Sequence, residues 1–283
     1  MADRFVAAAA GPLFDQLVAH FPSWSRNTLR QRLRMGCIDV NGAPCERHDH
    51  ALAGGDVVTI RGKDEGRAVA ARATLVVLHQ DDELLAIDKP AGLLSVSTDD
   101  EHERTALALL REQLGRGRPV DLWPAHRLDR ETSGVLLFAR TRAARDAVQA
   151  AWGEAEKVYA AVVEGHPEPP AGVIEQPLWE DRSLRVHVGA HAEARPARSR
   201  YLTVARGRAR SLLDVALDTG HKHQIRAHLA WLGHPVVGDD RYGTRGPRLF
   251  LHARRLVVPR PSGGPPLVLE APVPPAFAAA LGP

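Results

Sequence analysis

The chain has 283 residues, room for one large domain and a small one. Hydrophobic residues make up 44% and charged residues 25%, the balance of a globular protein with a packed core and not that of a disordered chain. No apolar run approaches the roughly 20 residues that span a bilayer, and the N-terminus lacks the charged start, apolar stretch and cleavage site of a signal peptide. The cytoplasm is therefore the expected compartment, with no membrane partner. Cys37 and Cys45 lie eight apart, which fits neither a zinc knuckle nor a disulfide framework; both read as ordinary thiols. Net charge is +3 and the pI about 9.1. Lys63, Lys89, Lys157 and Lys222 are the only lysines, so arginine supplies nearly all the positive charge. Its rigid fork suits phosphate and stacks on bases, but arginine-rich codon usage gives the same excess. Charge alone identifies no nucleic-acid partner.

The first 62 residues read as a small α/β unit. Ser25 is placed to cap a helix running to Met35, with Gly36 as its stop signal. Leu29 and Leu33 share one face, and Arg26, Arg30, Arg32 and Arg34 project mainly around the other side. Ile38 and Val40 alternate as a short strand, Asn41-Gly42 reads as a tight hairpin turn, and Gly54-Gly55-Asp56 leads into the strand-like Val57–Ile60. Helix, basic face, strand, Asn-Gly turn and Gly-Asp-Val-Val together resemble the S-four-type RNA-binding module. That resemblance makes Arg26, Arg30 and Arg34 candidate RNA contacts; solvated arginines on a helical cap are the bland alternative. The module's usual opening Arg-Leu-Asp is replaced here by Leu13-Phe14-Asp15.

Residues 63–73 are charged, contain alanine and glycine, lack core periodicity and read as a linker. From residue 74 to 283 short apolar runs recur: Leu75–Leu78, Leu84–Ile87, Val135–Phe138, Tyr159–Val163 and Leu212–Leu217. Two helices are predicted between them, near 105–114 and 141–152. Many strands with few helices predict an α+β domain on a mixed or antiparallel central sheet. The Pro- and Gly-rich 259–266 is read as an exposed loop.

The most informative segment is His126-Arg127-Leu128-Asp129-Arg130-Glu131-Thr132-Ser133-Gly134, a loop carboxylate beside an arginine, read as buried, ahead of an apolar strand. Small hydroxyl residues shape the turn, and Gly134 allows close approach or a positive φ. Ser133 lacks the Gly-x-Ser-x-Gly elbow of a hydrolase nucleophile. This segment resembles the aspartate motif of the RluA-type RNA pseudouridine synthases. Three further segments agree, in order: LLAIDKPAGLL (84–94), Lys157-Val158-Tyr159, and TGHKHQIRAHLAWLGHPVVGDDRYG (219–243). The resemblance spans roughly residues 74–278.

The resemblance implies the pseudouridine synthase fold and isomerisation of uridine in RNA, with Asp129 as nucleophile, Arg226 as its charged partner and Tyr159 in the active site. An ionised carboxylate can add to the sugar or the base, and the residues do not choose between these routes. Tyr159 can stack on uracil and its hydroxyl can assist proton removal from carbon five; a core aromatic is its bland alternative. Arg127 holds the flipped nucleotide or its gap, or braces the sheet; His126 contacts RNA or orients the loop. Lys157 and His223 complete the candidate RNA-binding set. His221 stands where the family often has arginine.

His221, His223 and His228 lack the His-Glu-x-x-His spacing of zinc hydrolases, so no metal is expected. No phosphate-cradling glycine loop occurs, and a redox-neutral isomerisation needs no cofactor. The expected partner is RNA, ribosomal in preference to transfer RNA, and the expected state a monomer. The rivals are a transfer RNA substrate, a non-catalytic RNA-binding assembly factor, and a glycosidase, which normally wants two acids.

Overall fold

A computed structural model describes residues 3–34, 36–45, 50–62, 74–96, 105–115 and 117–282. The chain divides into two compact units, a smaller one within residues 1–74 and a larger one from residues 75–283. The segment 63–73, read above as a linker, lies outside the described residues, as do Met35 and the side chain of Arg34.

The smaller unit contains β1 (Asp3–Val6), β2 (Gly11–Pro12), α1 (Leu13–His20), α2 (Arg26–Arg34), β3 (Ile38–Val40), β4 (Ala43–Pro44), β5 (Ala51–Leu52) and β6 (Val57–Ile60). Ser25 caps α2 by accepting the Thr28 N–H at 3.0 Å. Gly36, at φ 63°, ends the helix: its N–H reaches the Leu33 carbonyl and the Cys37 N–H reaches the Arg32 carbonyl, both at 3.0 Å. Asn41 and Gly42 both take positive φ, the two-residue turn that joins β3 to β4 with Val40 opposite Ala43. The sheet order is β1-β6-β3-β4, and its core gathers Leu13, Phe14, Leu17, Leu29, Leu33, Ile38, Val58 and Ile60. Arg32 departs from the expected basic face: its guanidinium stacks 4.1 Å from the Trp24 ring centroid and donates to the Arg61 carbonyl. A cation packed on an indole gains more than one left to water, which draws the long side chain inward.

The larger unit is an α+β domain. Its elements are β7 (Val76–Gln80), β8 (Leu84–Lys89), α3 (Ala106–Gly115), β9 (Trp123–Pro124), β10 (Ser133–Ala139), α4 (Arg142–Ala150), β11 (Glu156–Glu164), β12 (Ala171–Glu175), β13 (Leu178–Glu180), β14 (Val186–Val188), β15 (Arg198–Arg206), β16 (Arg210–Leu217), α5 (Gln224–Trp231), β17 (Leu251–Val258), β18 (Leu267–Glu270) and α6 (Ala276–Leu281). Ten strands form one sheet in the order β12-β15-β16-β11-β17-β10-β8-β7, with β9 beside β10 and β18 beside β17. Thr141 caps α4 by accepting the Ala144 N–H at 3.0 Å. Residues 259–266 form the turn between β17 and β18, exposed from Ser262 onward. Among the described residues no helix is long and apolar enough to cross a membrane.

One junction in this sheet positions the site. Strands β10 and β17 are paired parallel, at Ser133–His252 and Gly134–Ala253, whereas the other strand pairs of this sheet are antiparallel. Gly134 makes this approach possible, since a Cβ there would stand 2.2 Å from the Ala253 carbonyl oxygen, and its φ is +109°. Beyond the contact the strands part, β10 continuing beside β9 and β17 beside β18. The loop that carries Asp129 enters β10 at this point.

The sequence reading missed α5, the helix that carries Arg226. Residues Gln224–Leu229 are all buried, so the helix shows no apolar stripe against a polar face. Its N-cap position is His223 in the left-handed region (φ 54°), which is not a recognisable start signal.

Candidate active site

The loop before β10 is held from several directions. Lys89, fully buried, donates its three ammonium hydrogens to the carbonyls of Pro90 (3.0 Å), Leu93 (2.8 Å) and Arg130 (3.0 Å). Burial pulls its pKa down to about 7, opposed by the charges of Glu131 and Asp129. The Gly92 N–H also reaches the Arg130 carbonyl, at 2.9 Å. Ser95 Oγ donates to the Leu128 carbonyl (2.8 Å) and accepts the Leu128 N–H (3.0 Å), so one serine stands in for a neighbouring strand. Below the loop, Ser133 Oγ lies 2.9 Å from His252 Nδ1 and accepts from Arg248 at 3.2 Å.

His126 is part of this brace. Its Nε2 accepts the Leu137 N–H at 3.0 Å and its ring stacks on Trp152 at 4.9 Å. Burial pushes its pKa down to about 4, with the Lys157 charge adding to the effect, so the ring is neutral and able to accept. Of the two readings of His126, this geometry favours orienting the loop.

Asp129 is half-buried, with 30% of its side chain exposed, and not the buried carboxylate expected from the sequence. It opens onto a groove of about 560 Å³, within the roughly 300–1,000 Å³ of small-ligand pockets. A smaller pocket of about 80 Å³ adjoins Asp129, lined also by Arg127, Tyr159, Leu217, His223 and Arg226. Arg226 Nη1 stands 3.6 Å and His223 Nε2 3.8 Å from Asp129 Oδ2. Arg226, however, is anchored elsewhere: Nε and Nη2 each lie 2.7 Å from an oxygen of Asp239. Asp239 is fully buried, and its Oδ1 also accepts the Arg241 and Tyr242 N–H groups. These bonds and the arginine charge hold its pKa below the usual carboxylate range against the effect of burial.

Tyr159 sits on β11 beside an irregularity between Val158 and Tyr159, opposite Ala253. Burial, then the charge of Asp129, pushes its phenol pKa up, so the hydroxyl keeps its proton. Lys157 is buried on the same strand, 5.8 Å from the Trp152 ring centroid, and lines the groove. Arg127 is exposed at the groove.

The remaining histidines do not converge with His223. His221 Nε2 bonds the Pro196 carbonyl at 2.9 Å. His228 is a core residue between Ser199 Oγ and the Gln176 carbonyl, each at 2.9 Å. Among the described residues no group of three or more His, Cys, Asp or Glu is placed to hold a metal ion.

Arg26 and Arg30, in the other unit, are exposed on α2 with their guanidiniums 5.0 and 5.2 Å from the Phe14 ring centroid.

A carboxylate facing an arginine at the mouth of a pocket, with an aromatic beside it, defines a site for nucleophilic or electrostatic work on an electrophilic carbon. The family model described as RNA pseudouridylate synthase matches residues 83–231, and the chain belongs to that family. It is an RNA pseudouridine synthase, an isomerase. Among its relatives is the ribosomal large subunit pseudouridine synthase D of Nitrosomonas europaea, 33% identical, with 96% of this chain and 84% of that protein covered. The dual-specificity RNA pseudouridine synthase RluA of Escherichia coli is 35% identical over 70% of this chain and 93% of its own. Among solved structures, human RNA pseudouridylate synthase domain containing 4 aligns with a TM-score of 0.62 at 26% identity, covering 75% of this chain and 94% of that one.

Proposed function

We propose that the protein isomerises one or more uridines of structured ribosomal RNA, with Asp129 as the nucleophile. The observation that carries this is the position of Asp129 at the pocket, facing Arg226 and His223 and lined by Tyr159. Isomerisation breaks the bond from ribose to the base nitrogen, turns the uracil and reattaches it through carbon five, which then loses its proton. An ionised carboxylate adds to the sugar or the base while the base is free. Arg226 stays charged in a buried setting, which a lysine need not, and so presents a fixed positive charge to the Asp129 carboxylate. The Tyr159 ring offers uracil a stacking face. Arg127, exposed at the groove, and Lys157 supply positive charge to the RNA backbone near the extruded nucleotide. His126 orients the loop.

The preference for ribosomal RNA rests on the relative named for the large ribosomal subunit, which matches 96% of this chain, the N-terminal unit included. That unit, with Arg26 and Arg30 exposed, acts as an S-four-type RNA-binding module. Pseudouridine mapping of total RNA from cells with and without the gene tests the whole reading. A ribosomal site should vanish and return with the wild type, but not with Asp129→Asn. Return of the site with Asp129→Asn overturns the nucleophile assignment, and a lost site in transfer RNA overturns the substrate class.

A further inference from the structure

A second line of contacts reaches Asp129 from outside the pocket. Val186 on β14 donates its backbone N–H to Tyr242 Oη at 3.1 Å. Tyr242 Oη lies 3.0 Å from His223 Nδ1. His223 Nε2 in turn faces Asp129 Oδ2 at 3.8 Å. A peptide N–H can only donate, so the phenol oxygen accepts from Val186, and its own hydrogen can be given to Nδ1, one of the two tautomers this geometry allows. Burial raises the Tyr242 pKa, so that hydrogen is retained. With Nδ1 accepting, the proton of a neutral imidazole is on Nε2, the nitrogen turned toward Asp129. Burial also lowers the His223 pKa, opposed by the Asp129 charge and reinforced by Arg226, Arg241 and Lys222, which keeps the ring neutral.

The ring has little freedom. Its side chain is 10% exposed, its backbone is left-handed, and its ring packs edge-on to Tyr242 at 5.7 Å. Tyr242 also touches the other partner of the nucleophile, with the Arg226 guanidinium carbon 5.4 Å from its ring centroid. From the hairpin of β13 and β14, the Arg185 guanidinium carbon stands 5.3 Å from the same centroid. One tyrosine therefore contacts both groups that face Asp129 and two adjacent residues of a hairpin distant in sequence. The 3.8 Å separation is longer than a hydrogen bond, and catalytic hydrogen bonds often tighten only with substrate bound.

We propose that Tyr242 is a positioning residue for the isomerisation: its hydroxyl holds His223 as the Nε2–H tautomer aimed at Asp129, and so ties the placement of the β13–β14 hairpin to the nucleophile. This rests on Asp129 being the nucleophile. Bound RNA that shifts the hairpin then moves the imidazole against the carboxylate, and a hydrogen bond from Nε2 to Asp129 forms when the complex does.

The test is Tyr242→Phe, which keeps the ring and removes the hydroxyl. Activity is read as tritium released from carbon five of uridine in an unmodified transcript of large-subunit ribosomal RNA. The expected result is a kcat lower by between about 10- and 100-fold, in the range of sub-ångström misplacement, with KM within about twofold because uniform binding is untouched. Nitrogen-15 spectra of His223 should change from an Nε2–H pattern to a tautomer mixture. Wild-type kcat, or an unchanged Nε2–H pattern, overturns the proposal. Should Tyr242→Phe fold poorly, His223→Gln and His223→Leu decide: glutamine, which keeps an N–H donor near the Nε2 position, should retain more activity, and equal losses overturn it. Asp129→Asn is run alongside. Turnover by that variant would remove the nucleophile reading, whereas the nitrogen spectra report on Tyr242 in either case.

Discussion

Arg226 is held more tightly by Asp239 than by Asp129: two contacts of 2.7 Å to the buried carboxylate, against one of 3.6 Å to the half-buried one. The arginine thus has a fixed anchor on one side and presents its Nη1 to the pocket. Asp240, 3.5 Å from Nη2, adds negative charge from the exposed side.

Removing the anchor charge should harm folding and catalysis together. Asp239→Asn leaves a buried guanidinium uncompensated, a loss of about 3–5 kcal/mol for a broken buried pair, and lets Nη1 drift from Asp129. Urea unfolding should show the lower midpoint, and kcat should fall about 100-fold. A variant with wild-type midpoint and turnover would mean that Asp129 and Asp240 suffice to hold Arg226.

His126 should give the fold a pH-dependent component. Its pKa is about 4 in the folded protein against 6.5 for an ordinary histidine, so the unfolded chain binds the extra proton first as pH falls. Stability is therefore full above pH 6.5 and declines toward pH 4, by about 3 kcal/mol for this residue. His126→Gln, whose amide oxygen can still accept the Leu137 N–H, should flatten that part of the curve. Unfolding midpoints at pH 7 and pH 4.5 check it; parallel curves for both proteins would show that His126 does not carry the dependence.

The N-terminal unit should contribute to RNA affinity through charge. Replacing Arg26 and Arg30 by glutamine should weaken binding across RNA sequences and reduce the slope of log affinity against log salt by roughly 1.5. An unchanged slope in filter-binding titrations would leave these arginines as solvated charges above Phe14.

Gly134 should tolerate no side chain. Alanine there meets the Ala253 carbonyl and takes a left-handed backbone, together about 3 kcal/mol or more. Thermal unfolding of Gly134→Ala reports the loss, and an unshifted transition would contradict the close approach of β10 and β17.

The candidate residues around the pocket were legible in the sequence as motifs, because chemistry demands particular side chains at short spacings. Asp129 announced itself beside Arg127, and Gly134 was read as a site of close approach or positive φ, both of which hold. The partners these residues pair with were not legible. Asp239 is 13 positions beyond Arg226 and Tyr242 is 19 beyond His223, and a pair at such distances has no periodicity to give it away. Ser95 looked like a loop serine until its two bonds to Leu128 were seen across 33 residues. Lys89 lay inside a quoted motif, but its burial under three carbonyls contradicts what lysines ordinarily do. In the small unit, local rules were enough for the cap at Ser25, the stop at Gly36 and the turn at Asn41-Gly42, since each is settled within a few residues. They failed for Arg32, whose partner Trp24 lies on the preceding turn.

The parallel contact of β10 with β17 also sets an order of events during synthesis. The strand that abuts the loop of Asp129 is made more than a hundred residues after the loop itself. Until residues 252 and 253 arrive, Ser133 and Gly134 have no neighbour on that side, and His252 is not yet there to meet Ser133. A nascent chain therefore holds the loop of Asp129 in an unfinished cradle until β17 has been made.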